Sequence, residues 1–186
     1  IYNKLGDELP DLETAKIDVS DALAVKDYTG LQSNENVETL VVSEPSMSSQ
    51  AYSAVAVKVK SGANVEKMKQ EMLDNIDMAK WICVSASNLY ITNSGNTIFM
   101  VMSDEDWAKP VYEAFKEYVK KTEDEDTQLL DLQRRYRKGE IGDNDLTEEQ
   151  IEALCDLYDR QIISLKKSIE AKQQQITEYK KANGIS

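Results

Sequence analysis

The 186-residue chain has no histidine, and that absence excludes more than any motif it contains. Without imidazole there is no Ser-His-Asp or Cys-His nucleophile pair, no imidazole metal ligand and no histidine proton shuttle. Cysteine is nearly as scarce. Cys83 and Cys155 fall in different segments without C-x-x-C spacing, which argues against zinc, thioredoxin-like exchange and a disulfide framework. Small buried thiols are the expectation instead. Positive charge is also in short supply: 22 Lys and Arg stand against 34 Asp and Glu, for a net charge of −12. Phosphate backbones are held by Lys and Arg that neutralise them, so nucleic acid is not an expected partner, and an anionic membrane surface is disfavoured for the same reason. The seven glycines are scattered and form no dinucleotide or phosphate loop. No signal peptide or membrane-spanning run is present. The chain opens at Ile1 rather than at a methionine, so a further N-terminal piece is expected upstream.

What is present divides into two parts. Over residues 1–30, Leu5, Leu9 and Leu12 lie on one helical face interrupted by Gly6 and Pro10. Ser20 or Asp21 can then cap a short helix ended by Gly30. Two strands follow: Val37–Glu44, stopped by Pro45, and Ala51–Lys60, whose Val55, Val57 and Val59 share one face. Val65, Met68, Met72 and Ile76 recur at helical spacing and predict an amphipathic helix over 64–78. Trp81–Ile91 and Thr97–Met102 read as a second hairpin around Asn93-Ser94-Gly95-Asn96. The adjacent Trp81, Ile82 and Cys83 are read as core rather than pocket. Because Pro110 disfavours a helix interior, the next helix is expected from Lys109 to Lys121. The order β-β-α-β-β-α predicts an α+β, two-layer domain over 1–122, with a four-stranded sheet and its helices on one face.

Glu123-Asp124-Glu125-Asp126 reads as an acidic linker over 123–127. Residues 128–186 then predict an α-helical hairpin ending in a long coiled-coil-like helix. Gln128–Lys138 is its short arm, Gly139 and Gly142 its break, and Thr147 with Gln150 a capping box for a helix running to Ala182. Such a helix is on the order of 54 Å long. In alternating steps of four and three it places Ile151, Cys155, Tyr158, Ile162, Leu165, Ile169, Lys172, Ile176 and Tyr179 on one seam. The short arm, folding back antiparallel, can cover the seam no further than about Leu165. A lone helix is marginal in water, so the apolar seam residues predict a surface for self-association or for a protein partner. Lys172 weakens the seam and can set its register.

Other signals fail on inspection. Asp143-Asn144-Asp145 starts like a calcium loop, but its sixth and twelfth positions hold Glu148 and Leu154 where glycine and glutamate are needed. Ser164-Leu165-Lys166-Lys167 contains S-x-x-K without companion motifs. Nothing singles out a carboxylate pair among the acidic residues, so no catalytic residue, cofactor or metal site is expected, and the chain reads as a non-enzyme. Polar residues cluster between two strands at Ser43, Glu44, Ser48, Ser49, Gln50 and Tyr52. They form a candidate ligand-facing loop, although an ordinary strand connection is the stronger reading.

Two stretches carry a resemblance. Ser43-Glu44-Pro45 with Ser48-Ser49-Gln50-Ala51-Tyr52-Ser53, and Asn75-Ile76-Asp77 with Lys80-Trp81-Ile82-Cys83-Val84, resemble a domain of uncharacterised lipoproteins of Gram-positive anaerobes. The resemblance covers roughly residues 1–120 and not the helical tail. It implies an extracytoplasmic domain on a membrane tether, with membrane contact only through an N-terminal lipid anchor outside this chain. It implies no reaction. The expectation is a non-catalytic accessory or binding module with a helical docking arm. The alternative is a cytoplasmic regulatory or scaffold protein that binds partners through its coiled coil.

Overall fold

The computed structural model describes residues 2–5, 9–47 and 49–183. The chain divides into two compact units, residues 1–121 and 122–186.

The first unit is built on five antiparallel strands: β1 (Leu12–Ile17), β2 (Val37–Pro45), β3 (Tyr52–Val59), β4 (Asn88–Ser94) and β5 (Thr97–Ser103), in the spatial order β1-β2-β3-β5-β4. The expected four-stranded sheet is therefore one strand short. β1 falls where a turn and helix were expected. Its middle side chains are exposed, so it carries no hydrophobic alternation to read. Its conformation comes from pairing with β2, from Leu12 opposite Pro45 to Ile17 opposite Leu40. The β4–β5 hairpin turns on Gly95-Asn96. Gly95 has a φ of 50° and Asn96 is not in the positive region, so glycine takes the first central position of a two-residue hairpin loop. Strand β4 begins only at Asn88. Residues 81–87 are irregular, Cys83 has a φ of 63°, and Ile82 and Cys83 are exposed rather than core.

Helices cover both faces of the sheet, not one. On the first face, Val55, Val57 and Val59 of β3 join Leu40, Val42, Ile98 and Met100 against α2 (Ala22–Thr29) and α3 (Val65–Asn75), which contribute Val25, Met68 and Met72. Asp21 caps α2 by accepting from the amides of Leu23 and Ala24, and Asn64 caps α3 by accepting from Lys67. On the second face, Ala54 lies in a cluster with Phe99, Val101 and Tyr52, under α1 (Tyr2–Leu5) and the first part of α4 (Glu105–Arg137). The small alanines of β3 are the floor on which Phe115 stacks over Phe99 at 4.3 Å. Met68, Met72, Met100 and Met102 are all buried, whereas Met47 is exposed.

Helix α4 merges two expected helices. It starts before Pro110, which removes one internal bond, and it runs through the acidic run at 123–126 instead of breaking into a linker there. No glycine or proline occurs between Val111 and Lys138 to stop it, and the Thr127 hydroxyl donates back to the Glu123 carbonyl.

The second unit contains the end of α4, a 3₁₀ turn at Asp143–Asp145 and α5 (Glu148–Ala182). The 35 residues of α5 span about 52 Å. The Thr147 hydroxyl accepts from the Gln150 amide while the Thr147 amide donates to the Gln150 side chain, closing the capping box. No helix among the described residues is long and apolar enough to cross a membrane.

Candidate functional site

A row of exposed apolar side chains runs along α5. Within the second unit, Leu154 and Gln133 are buried, and the side-chain amides of Gln133 and Gln161 donate to one another at 3.1 and 3.3 Å. Leu129 and Leu132 of α4 line a groove of about 450 Å³ with Gln150 and Ala153 of α5. The face of α5 turned inward is thus Ala153, Leu154, Leu157, Tyr158 and Gln161. That face is offset from the predicted seam and shares only Tyr158 with it. Ile151 and Cys155 remain exposed, and from Ile162 to Asn183 every residue is exposed. Ile162, Leu165, Ile169, Ile176 and Tyr179 are between 47% and 63% accessible. An apolar row on one side of a charged helix, open over its last five turns, can bury itself only against another surface.

In the first unit a cleft of about 600 Å³ opens between α2 and the segment after α3, lined among others by Asp27, Tyr28, Glu44, Lys80 and Trp81. Lys80 is its centre. The Lys80 ammonium pairs with the Glu44 carboxylate, donates to the Ser53 hydroxyl at 3.3 Å, and lies 4.9 Å from the Tyr28 ring centroid and 5.4 Å from that of Trp81. Burial pushes the Tyr28 phenol above its ordinary value, and the nearby Glu44 and Asp27 carboxylates add to the shift. Each cation–π contact of this kind contributes about 0.5–2 kcal/mol. Held by Glu44 and Ser53 and flanked by the two rings, Lys80 braces the irregular 76–87 segment against the sheet and α2.

The polar corner between β2 and β3 does not form one ligand-facing edge. Ser43 is buried and shares a 2.9 Å hydrogen bond with Thr14. Tyr52 is also buried, with its hydroxyl donating to that of Tyr2 at 3.3 Å, and burial followed by Tyr2 raises its ionisation far above the ordinary range. Ser49 is exposed and Gln50 half-buried, and Ser48 lies outside the described residues. Only Glu44 lines a cleft, and it is engaged by Lys80. Strand alternation explains the difference: residues two apart on an extended chain share a face, so a polar cluster in sequence is split between interior and surface.

Among the described residues, no group of three or more Cys, Asp or Glu side chains is placed to hold a metal ion. Cys83 and Cys155 are free and exposed, not the buried thiols expected. No family model, curated protein or solved structure matches the chain.

Proposed function

We propose that this chain is a non-catalytic accessory or binding module that assembles through α5. The observation that carries the reading is the uncovered row Ile162–Leu165–Ile169–Ile176–Tyr179. Removing one large aliphatic side chain from water is worth about 1.5–3 kcal/mol, so several along one ridge supply a docking energy that its own chain leaves unused. The first unit is the folded body carried by this arm. The lipoprotein resemblance of residues 1–120 supports an extracytoplasmic setting.

A second reading keeps the arm and changes the compartment. Two free, exposed thiols suit a reducing environment, which favours a cytoplasmic scaffold. The reading frame upstream of Ile1 separates the two: a signal peptide ending in a cysteine supports the first, and a methionine within a few residues supports the second.

The assembly role is tested by light scattering over a concentration series. The intact chain is expected to exceed monomer mass, and the double variant Ile169→Ser/Ile176→Ser to return to monomer while retaining its secondary structure by circular dichroism. Equal masses for both proteins at every concentration would remove the role.

A further inference from the structure

Resting on the reading of α5 as an assembly surface, we propose that its occupant is the α5 helix of a second copy of this chain, running antiparallel to the first and centred on Ile162–Leu165.

The argument begins with charge. Over 148–161, α5 carries Glu148, Glu149, Glu152, Asp156 and Asp159 against the single base Arg160, which lies off the seam and its flanks. Over 162–182 it carries Lys166, Lys167, Lys172, Lys180 and Lys181 against Glu170 and Glu178. The helix dipole rewards acids in the first turn and bases in the last, and its influence fades within those turns. It accounts for Glu148 and Lys181 and not for Asp159 or Lys166, which lie in the middle of the helix. An antiparallel pair sets the acidic half of each helix beside the basic half of the other, whereas a parallel pair sets like beside like.

The residues flanking the seam sharpen the choice. One flank reads Glu152, Asp159, Lys166, Gln173 and Lys180; the other reads Leu154, Gln161, Ser168 and Gln175. Flanking residues set orientation in paired helices. In a parallel pair each flank meets the opposite flank, so the charged side would face a neutral one, and Lys172 would face Lys172 within the seam. In an antiparallel pair each flank meets itself reversed. With Ile162 of one copy opposite Leu165 of the other, Tyr158 meets Ile169, Ile151 meets Ile176, and Asp159 lies beside Lys166 on both sides of the two-fold axis. Lys172 then meets Cys155, among Glu152, Asp156 and Asp159 of the other copy. The one charged seam position gains neutralising partners instead of repulsion.

The fold leaves room for this arrangement. Contact with α4 takes the neutral flank, where Leu154 is buried and Gln161 is bonded to Gln133, and it half-buries one seam residue, Tyr158. Glu152, Asp159, Ile151 and Cys155 all remain exposed, so the charged flank stays open along the first half of α5 as well as the second.

Thiol cross-linking of the full chain reads the orientation directly, because a disulfide needs Cα atoms within about 7 Å. Cys83→Ser leaves Cys155 as the sole thiol. This variant is expected to be dimeric by light scattering and to form no covalent dimer on mild oxidation. Adding Lys172→Cys is expected to yield covalent dimers in which peptide mapping joins Cys155 of one copy to position 172 of the other. Within one helix those positions are about 25 Å apart, too far to bridge. A Cys155–Cys155 dimer without the second substitution means a parallel pair and overturns the inference while leaving the arm reading intact. Cross-linking or dimer mass that survives Ile169→Ser/Ile176→Ser overturns the arm reading itself, and a monomer at all concentrations overturns both. A charge exchange gives an independent check. Asp159→Lys is expected to weaken dimerisation about tenfold, and Asp159→Lys/Lys166→Asp to restore it; failure of the double exchange to restore also counts against the antiparallel pair.

Discussion

Gly30 shows how one side chain, or its lack, decides a junction. It ends α2 at a φ of 78°, and a Cβ placed there would stand 2.7 Å from the backbone nitrogen of Ile76, just past α3. Backbone cannot swing aside as a flexible side chain would. Gly30→Ala should cost about 3 kcal/mol, combining the left-handed penalty with the clash. Gly62→Ala, at a φ of 88° with open space around it, should cost only about 1–2 kcal/mol. Urea midpoints of the two variants measure the difference, and equal shifts would show that the close approach to α3 carries no energy. A glycine that ends a helix is readable from sequence; one against which another helix end is packed is not. Lys80 has the same property. Its neighbours Tyr28, Glu44, Ser53 and Trp81 come from α2, β2, β3 and the segment after α3, so its role exists only after folding.

At the scale of elements, legibility follows the source of each element's stability. Helix α3 was readable because Val65, Met68 and Met72 mark its inner face and Asn64 its start, although it ends at Asn75, before Ile76, rather than at 78; β3 was readable from its alternating valines. Strand β1 was not, because it is held by a ladder to β2 and buries little side chain. The acidic run at 123–126 looked like a boundary by composition and is helix by structure, since glutamate is a good helix former and no breaker interrupts it. On α5 the four-three spacing located the exposed row. It misjudged the inward face, because Leu154 and Gln161 flank the seam rather than belong to it. The start of α5 rests on the Thr147–Gln150 box. Thr147→Ala should cost about 1 kcal/mol and speed amide exchange at Glu149–Ile151 roughly fivefold, while exchange beyond Ile162 stays as it was. Unchanged exchange in that first turn would mean the box contributes nothing.

For the molecule as a whole, a net charge of −12 keeps separate chains apart by mutual repulsion, so the assembly proposed for α5 requires a localised patch with its own charge pattern rather than general stickiness. The methionines add a different consequence. Thioethers are open to peroxide only where the reagent can reach them, and four of the six are buried in the β-sheet domain while Met47 is at its surface. Met47 should convert to sulfoxide within minutes of peroxide treatment, and Met68, Met72, Met100 and Met102 only as fast as the domain opens. Dilute urea should therefore accelerate that set together and leave Met47 unaffected, as read by peptide mass. Equal rates at Met47 and Met100 would contradict the packing. The sulfur-rich interior thus makes oxidative ageing an all-or-none event: a sulfoxide formed during one transient opening is polar, fits poorly on closing, and commits the domain to opening again.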